Sequence, residues 1–188
     1  MIQNNIQDIL TANPLIPVAT IHNLSEVDTF YEKLKNQGVY CIEITLRTDF
    51  AWDAIALFKE KYGREFKVGV GTIITKEDVA KCKQLKVDFM VSPGLDKSLF
   101  DAFEKSGIPY IGGAVTPSEI IAGIHLGCKF FKFFPADLFG GIQALKTYAG
   151  IFKHVVFCPT GGINPSNYQD FLALKNVQSV GGSWLLQD

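Results

Sequence analysis

The sequence predicts an α/β domain closed into a (β/α)8 barrel. Three observations carry that prediction. Short apolar runs alternate with stretches of helical spacing eight times along the 188 residues. The connections between them are short. Polar, charged and glycine residues gather just after the apolar runs. Strands joined by helices in this alternation make a parallel sheet, and eight repeats are the count of a closed barrel with its site at the C-terminal ends of the strands. A doubly wound open sheet is the alternative. It usually has fewer strands and a glycine-rich first loop, whereas here the first run leads into Ile21-His22-Asn23.

Taken in order, Asn5 to Thr11 places Ile6, Ile9 and Leu10 at helical spacing and predicts a short leading helix. Ile16 to Thr20 reads as the first strand, and Ser25 as the cap of a helix stopped by Gly38. Val39 to Leu46 is the second strand, with a helix from Phe50 to Tyr62 stopped by Gly63. Phe66 to Val70 is the third, and Thr75 caps the helix that follows. Asp88 to Val91 and Pro109 to Ile111 are the fourth and fifth, separated by a helix from Leu95 to Ser106. After a helix from Pro117 to Leu126, Phe130 to Phe134 forms the sixth strand, and Gly141 to Ala149 the helix behind it. His154 to Cys158 is the seventh strand; Asn164 and Pro165 open a helix to Leu174. Val177 to Val180 is the eighth strand, and the final helix of the barrel is missing after Ser183. One domain, 1–188, is expected.

Composition excludes several classes. A net charge of −1 gives no electrostatic reason for a nucleic-acid or membrane partner. Cys41, Cys82, Cys128 and Cys158 are widely spaced without a CxxC pair, so neither zinc nor a disulfide framework is expected. The first 13 residues carry no basic group and no long apolar core, and no run approaches membrane-spanning length, so a cytoplasmic location is expected.

The chemistry centres on Phe130-Phe131-Lys132-Phe133-Phe134-Pro135. Desolvation favours the neutral form of an amine, and a neutral lysine is the nucleophile that imine chemistry on a ketone needs. The plain alternative is a strand-end lysine reaching to water. Strand alternation puts Cys41, Glu43 and Thr45 on one face and Ile42 and Ile44 on the other. If the isoleucines pack on helices, Glu43 and Lys132 face one cavity from the second and sixth strands. That pair serves either as nucleophile with acid/base or as a buried ion pair holding the barrel together. Thr160-Gly161-Gly162 and Gly181-Gly182-Ser183 follow the last two strands, where barrels often bind phosphate through backbone amides; tight turns are the alternative. Arg47, just past the second strand, has the fork that suits a carboxylate. His22, His125 and His154 have no ligand-like neighbours, and no metal or other cofactor is expected.

These residues form co-linear motifs. Glu-Ile-Thr-Leu-Arg-Thr from Glu43, Gly-Val-Gly-Thr from Gly69, Ser-Pro-Gly from Ser92, Lys-Phe-Phe-Pro-Ala from Lys132, Cys-Pro-Thr-Gly-Gly-Ile from Cys158 and Gly-Gly-Ser-Trp-Leu from Gly181 resemble the bacterial 2-keto-3-deoxy-6-phosphogluconate/4-hydroxy-2-oxoglutarate aldolases. The resemblance runs from about Ile16 to Leu185. It implies a metal-free class I aldolase on a (β/α)8 barrel, commonly a homotrimer. It places the Schiff-base lysine on Lys132 and the general acid/base on Glu43. The carboxylate-binding arginine falls on Arg47, with Thr72 and Pro93 beside the pyruvyl group. Phe134 lines the pocket, Thr160 belongs to its wall, and Gly161, Gly162 and Ser183 are the phosphate positions. A sister group acting on the galactonate epimer typically replaces Thr45 and Arg47 and lacks the tryptophan; this chain keeps Thr45, Arg47 and Trp184, as the gluconate type does. The family continues through a last helix that this chain lacks. Three rivals predict otherwise: a phosphate-binding isomerase or decarboxylase without covalent adduct, a metal-dependent aldolase, and a non-catalytic sugar-phosphate sensor.

Overall fold

The computed structural model describes residues 3–187. Strands β1 (Leu15–Ala19), β2 (Cys41–Thr45), β3 (Lys67–Gly71), β4 (Phe89–Val91), β5 (Tyr110–Gly113), β6 (Phe130–Phe133), β7 (Val156–Pro159) and β8 (Val180–Gly182) form one parallel sheet. Its order runs from β7 down to β1 and then to β8. Single bridges between Phe157 and Val177 and between Thr160 and Gly181 join the two edges, so the sheet closes as a (β/α)8 TIM barrel. That closure removes the open doubly wound sheet from consideration.

Helix α1 (Gln3–Ala12) precedes the barrel, and α2 (Glu26–Asn36), α3 (Ala51–Tyr62), α4 (Lys76–Gln84), α5 (Lys97–Ser106), α6 (Pro117–His125), α7 (Gly141–Ile151) and α8 (Tyr168–Leu172) alternate with the strands. Strand alternation divides the apolar residues into two cores. The outward residues, among them Ile42, Ile44, Val68, Val70, Phe131 and Phe157, pack with the helices. The inward residues Ile16, Cys41, Phe89, Val91, Ile111, Phe130 and Cys158 fill the barrel, and Ile6 and Leu10 of α1 join them. The leading helix therefore plugs the lower interior and leaves the other end for polar groups. Burial pushes the Cys41 thiol well above its usual range and the Cys158 thiol up to about 11, so both cysteines act here as small apolar groups.

Local chemistry sets most helix starts. Thr75 caps α4 and Thr116 caps α6, each in a reciprocal box with an acid three residues on, Asp78 and Glu119. Asp96 caps α5. Three sequence expectations need correction. Ser25 does not cap α2; its hydroxyl and N–H both turn to the Asn23 side chain, and Glu26 accepts from His22 N–H instead. Asn164 does not open a helix. Its side chain accepts from the N–H of Ser166, and Asn167 accepts from the N–H of Asn164, so turns occupy 164–167 and α8 begins only at Tyr168. The eighth strand begins three residues later than the expected Val177–Val180 and ends two later, at Gly182, with Leu15, Ile16 and Pro17 paired to Val180, Gly181 and Gly182. Glycine has poor strand propensity, but these two sit where neighbours crowd the backbone. A Cβ at Gly181 would stand 2.4 Å from Thr160 Oγ1, and one at Gly182 would stand 1.8 Å from the Trp184 ring.

Candidate active site

The sixth and second strands meet across the barrel interior. Lys132 Nζ donates to Glu43 Oε1 at 2.9 Å, and the two side chains are only 4% and 3% exposed. An isolated charge at such a site costs several kcal/mol, roughly, and the partner offsets it. The room for this carboxylate comes from β3. Gly71 lies opposite Thr45 in the ladder, and a Cβ there would fall 2.1 Å from Glu43 Oε1. The atoms it would meet are on a side chain that can swing, so Gly71→Ala should fold and push the carboxylate off Lys132. Misplacement by about 1 Å costs on the order of 100-fold. We expect kcat for aldol cleavage to fall by about that factor and the thermal midpoint to drop as the buried pair is loosened; an unchanged kcat would show that the position of Glu43 does not matter.

Above the pair, a cavity of about 220 Å³ opens at the C-terminal ends of the strands, lined by Val18, Thr20, Arg47, Phe134, Thr160, Gly161, Gly162, Ile163, Gly182 and Ser183. The Phe134 ring joins its two levels. Its centroid lies 5.3 Å from Lys132 Nζ and 6.0 Å from the Arg47 guanidinium carbon. Arg47 Nε donates to Thr72 Oγ1 at 3.1 Å. Thr72 holds a left-handed backbone, φ 64°, which a β-branched residue adopts only at a cost of about 1–3 kcal/mol. The flanking ladder holds it there: Leu46 N–H donates to the Gly71 carbonyl and Ile73 N–H to the Val91 carbonyl.

The Gly-Gly turn after β7 also takes a conformation that glycine allows, with φ 99° at Gly161 and 72° at Gly162. Their N–H groups donate to no carbonyl among the described residues, which makes a small concavity of free donors. Ala136 N–H donates to the Thr160 carbonyl and Asp137 N–H to that of Gly161, which ties this turn to the loop after β6. Thr160 is buried, yet its Oγ1 has no hydrogen-bond partner among the described residues. Burial raises the Cys158 thiol, and the Ser179 hydroxyl, the Lys132 charge and the Thr160 hydroxyl oppose part of that rise.

A family model described as "Aldolase: KDPG and KHG aldolase" matches residues 6–188. The chain belongs to this family. It is a carbon–carbon lyase of the aldolase type. It is 43% identical over 185 residues to the KHG/KDPG aldolase of Escherichia coli strain K12, covering 98% of this chain and 86% of that protein. A Legionella pneumophila KDPG aldolase, crystallised with pyruvate captured at low pH as a covalent carbinolamine intermediate, superposes with a TM-score of 0.92 at 40% identity, covering 97% of this chain and 88% of the other. A Zymomonas mobilis ZM4 2-keto-3-deoxy-6-phosphogluconate aldolase, crystallised with 3-phosphoglycerate, matches with a TM-score of 0.92 at 34% identity, covering 97% and 86%.

Within this KDPG/KHG aldolase-family barrel, the sequence-derived positions fall in three places. Lys132 and Glu43 form the buried pair. Arg47, Phe134, Thr160, Gly161, Gly162 and Ser183 line the cavity, and Thr72 joins it through Arg47. Pro93 lines a neighbouring groove with Ser92, Gly94 and Leu95 rather than the cavity itself. Sequence reasoning missed Thr20, Val18 and Gly71. Thr20 follows the last residue of β1 and shares the inward face with Ile16 and Val18, a period-two signal already contained in the first strand as read from the sequence, Ile16 to Thr20.

Proposed function

We infer that this chain is a class I aldolase that cleaves 2-keto-3-deoxy-6-phosphogluconate to pyruvate and glyceraldehyde 3-phosphate, and 4-hydroxy-2-oxoglutarate to pyruvate and glyoxylate. The observation that carries this reading is the 2.9 Å contact between Lys132 Nζ and Glu43 Oε1, buried beneath an open, polar cavity. An amine can attack a ketone only after shedding a proton, and Glu43 is within reach to take it. Lys132 adds to C2 of the keto acid and water leaves, forming a protonated imine. Glu43, directly or through a water, takes the C4 hydroxyl proton. The C3–C4 bond breaks, its electron pair moves to the imine as an enamine, and the aldehyde departs. Protonation at C3 and addition of water then release pyruvate and restore the amine.

Arg47 suits the substrate carboxylate, and the Arg47–Thr72 bond holds its fork over the Phe134 face. The free amides of Gly161 and Gly162, with the exposed Ser183 hydroxyl, suit a phosphate. Ser183→Ala should raise KM for the phosphorylated six-carbon acid several-fold more than for 4-hydroxy-2-oxoglutarate; equal effects would count against a phosphate subsite. A homotrimer belongs to the same reading, and light scattering in solution tests it. The reaction class itself is tested by incubating the protein with pyruvate and borohydride and mapping the adduct by peptide mass spectrometry. Reduction should leave a pyruvyl group on the peptide containing Lys132. A folded protein with no adduct would instead support an isomerase or sensor on this barrel.

A further inference from the structure

Two threonines and a backbone carbonyl form a chain at the top of β1 and β2. Thr45 Oγ1 lies 2.9 Å from the Ala19 carbonyl oxygen, and Thr20 Oγ1 lies 3.0 Å from Thr45 Oγ1. A carbonyl can only accept, so the first contact needs the Thr45 proton. The second contact then needs the proton of Thr20. Reversing the direction would set the Thr45 oxygen against the Ala19 carbonyl at 2.9 Å with no proton between them. Thr45 is fully buried and has no other way to arrange itself toward solvent. The Thr20 hydroxyl has therefore spent its donor, and only its lone pairs remain for the cavity that it lines.

Thr160 lines the same cavity, but its Oγ1 is buried against the Gly181 backbone and faces away from solvent. Thr20 therefore presents the cavity with an acceptor that cannot donate. A substrate hydroxyl can donate to it. A carboxylate cannot, because its oxygens would face the Thr20 lone pairs with no proton to share.

We propose that Thr20 is a specificity-determining residue that accepts a hydrogen bond from the C5 hydroxyl of the six-carbon keto acid and disfavours the C5 carboxylate of the five-carbon one. The proposal rests on the aldolase reading above. It commits to C5 because the C4 hydroxyl is the one that Glu43 deprotonates, and C6 carries the phosphate. The polarity of Thr20 comes from Thr45, which acts here as a positioning residue. Leaving a buried polar group unpaired is more costly than a hydrogen bond is favourable, so the discrimination should be visible as a ratio between substrates.

The test compares kcat/KM for 2-keto-3-deoxy-6-phosphogluconate, for its 5-deoxy analogue and for 4-hydroxy-2-oxoglutarate in the wild type, Thr20→Val and Thr20→Ser. Valine keeps the shape and removes the oxygen. The wild type should lose about tenfold on the 5-deoxy analogue. Thr20→Val should lose about tenfold on the parent six-carbon acid, lose no more on removal of the C5 hydroxyl, and hold or gain on 4-hydroxy-2-oxoglutarate. Thr20→Ser should restore the wild-type ratio. Should Thr20→Val fail to fold, the wild-type comparison of parent and 5-deoxy acids decides by itself. Wild-type turnover that ignores the C5 hydroxyl, or a substrate ratio unmoved in Thr20→Val, overturns the role of Thr20 and leaves the aldolase reading standing. A wild type that neither turns over these acids nor forms a pyruvate adduct overturns both.

Discussion

Lys132→Met should abolish aldol cleavage. Enzymes accelerate their reactions by at least about a millionfold, and in this scheme the imine carries the acceleration, so kcat/KM should fall at least 10,000-fold, roughly, with no pyruvate adduct under borohydride. Methionine fills a similar volume without the amine. The same change removes the partner of a carboxylate that is 3% exposed. Stripping one member from a buried pair costs about 3–5 kcal/mol, so the thermal midpoint should drop as well. Adding Glu43→Gln to Lys132→Met removes the orphaned charge, so the double variant should regain much of the stability and none of the activity. That separation distinguishes a catalytic lysine from an ion pair that merely holds the barrel together. A Lys132→Met protein retaining even a few per cent of wild-type turnover would rule out the imine at this position.

Glu43→Gln by itself should slow cleavage by about 100- to 10,000-fold, the usual worth of general acid–base help. Glutamine keeps the volume that Gly71 leaves for the carboxylate, and its carbonyl oxygen can still accept from Lys132. It cannot take the C4 proton. The pyruvate adduct on Lys132 should therefore still form, more slowly, while cleavage of the six-carbon acid is lost to a much greater extent. Single-turnover measurements with borohydride quenching would separate the two steps. Equal slowing of adduct formation and cleavage would confine Glu43 to activating the lysine, and an unchanged cleavage rate would remove it from the mechanism.

Much of this site was legible in the chain. The alternation of Ile42 and Ile44 with Cys41, Glu43 and Thr45 assigned faces before any coordinates, and the isoleucines do pack on the helices while Glu43 turns inward. The aromatic run around Lys132 marked a buried amine in the same way. Glycines were less legible. Gly181 and Gly182 read as part of a phosphate-binding loop after the eighth strand because glycine is a poor strand former, yet they are strand residues that complete the barrel beside β1. Asn164 looked like a helix cap because its residue type is favoured there, but Asn164 and Asn167 use their side chains on each other's neighbourhood instead.

The sequence by itself determined the eight-fold alternation, the division of the second and sixth strands into two faces, and the concentration of polar groups after the strands. All of these follow from periodicities of two and 3.6 residues, which are properties of a few consecutive residues. Only the tertiary structure decided that Gly71 stands against Glu43, that Arg47 leans on a strained Thr72, that the edges close between β7 and β8, and that Thr45 orients the Thr20 hydroxyl. Those facts depend on register and close approach between segments far apart in the chain. A shift of one residue in pairing would turn every such side chain to the other face, and only the closed barrel sets that register.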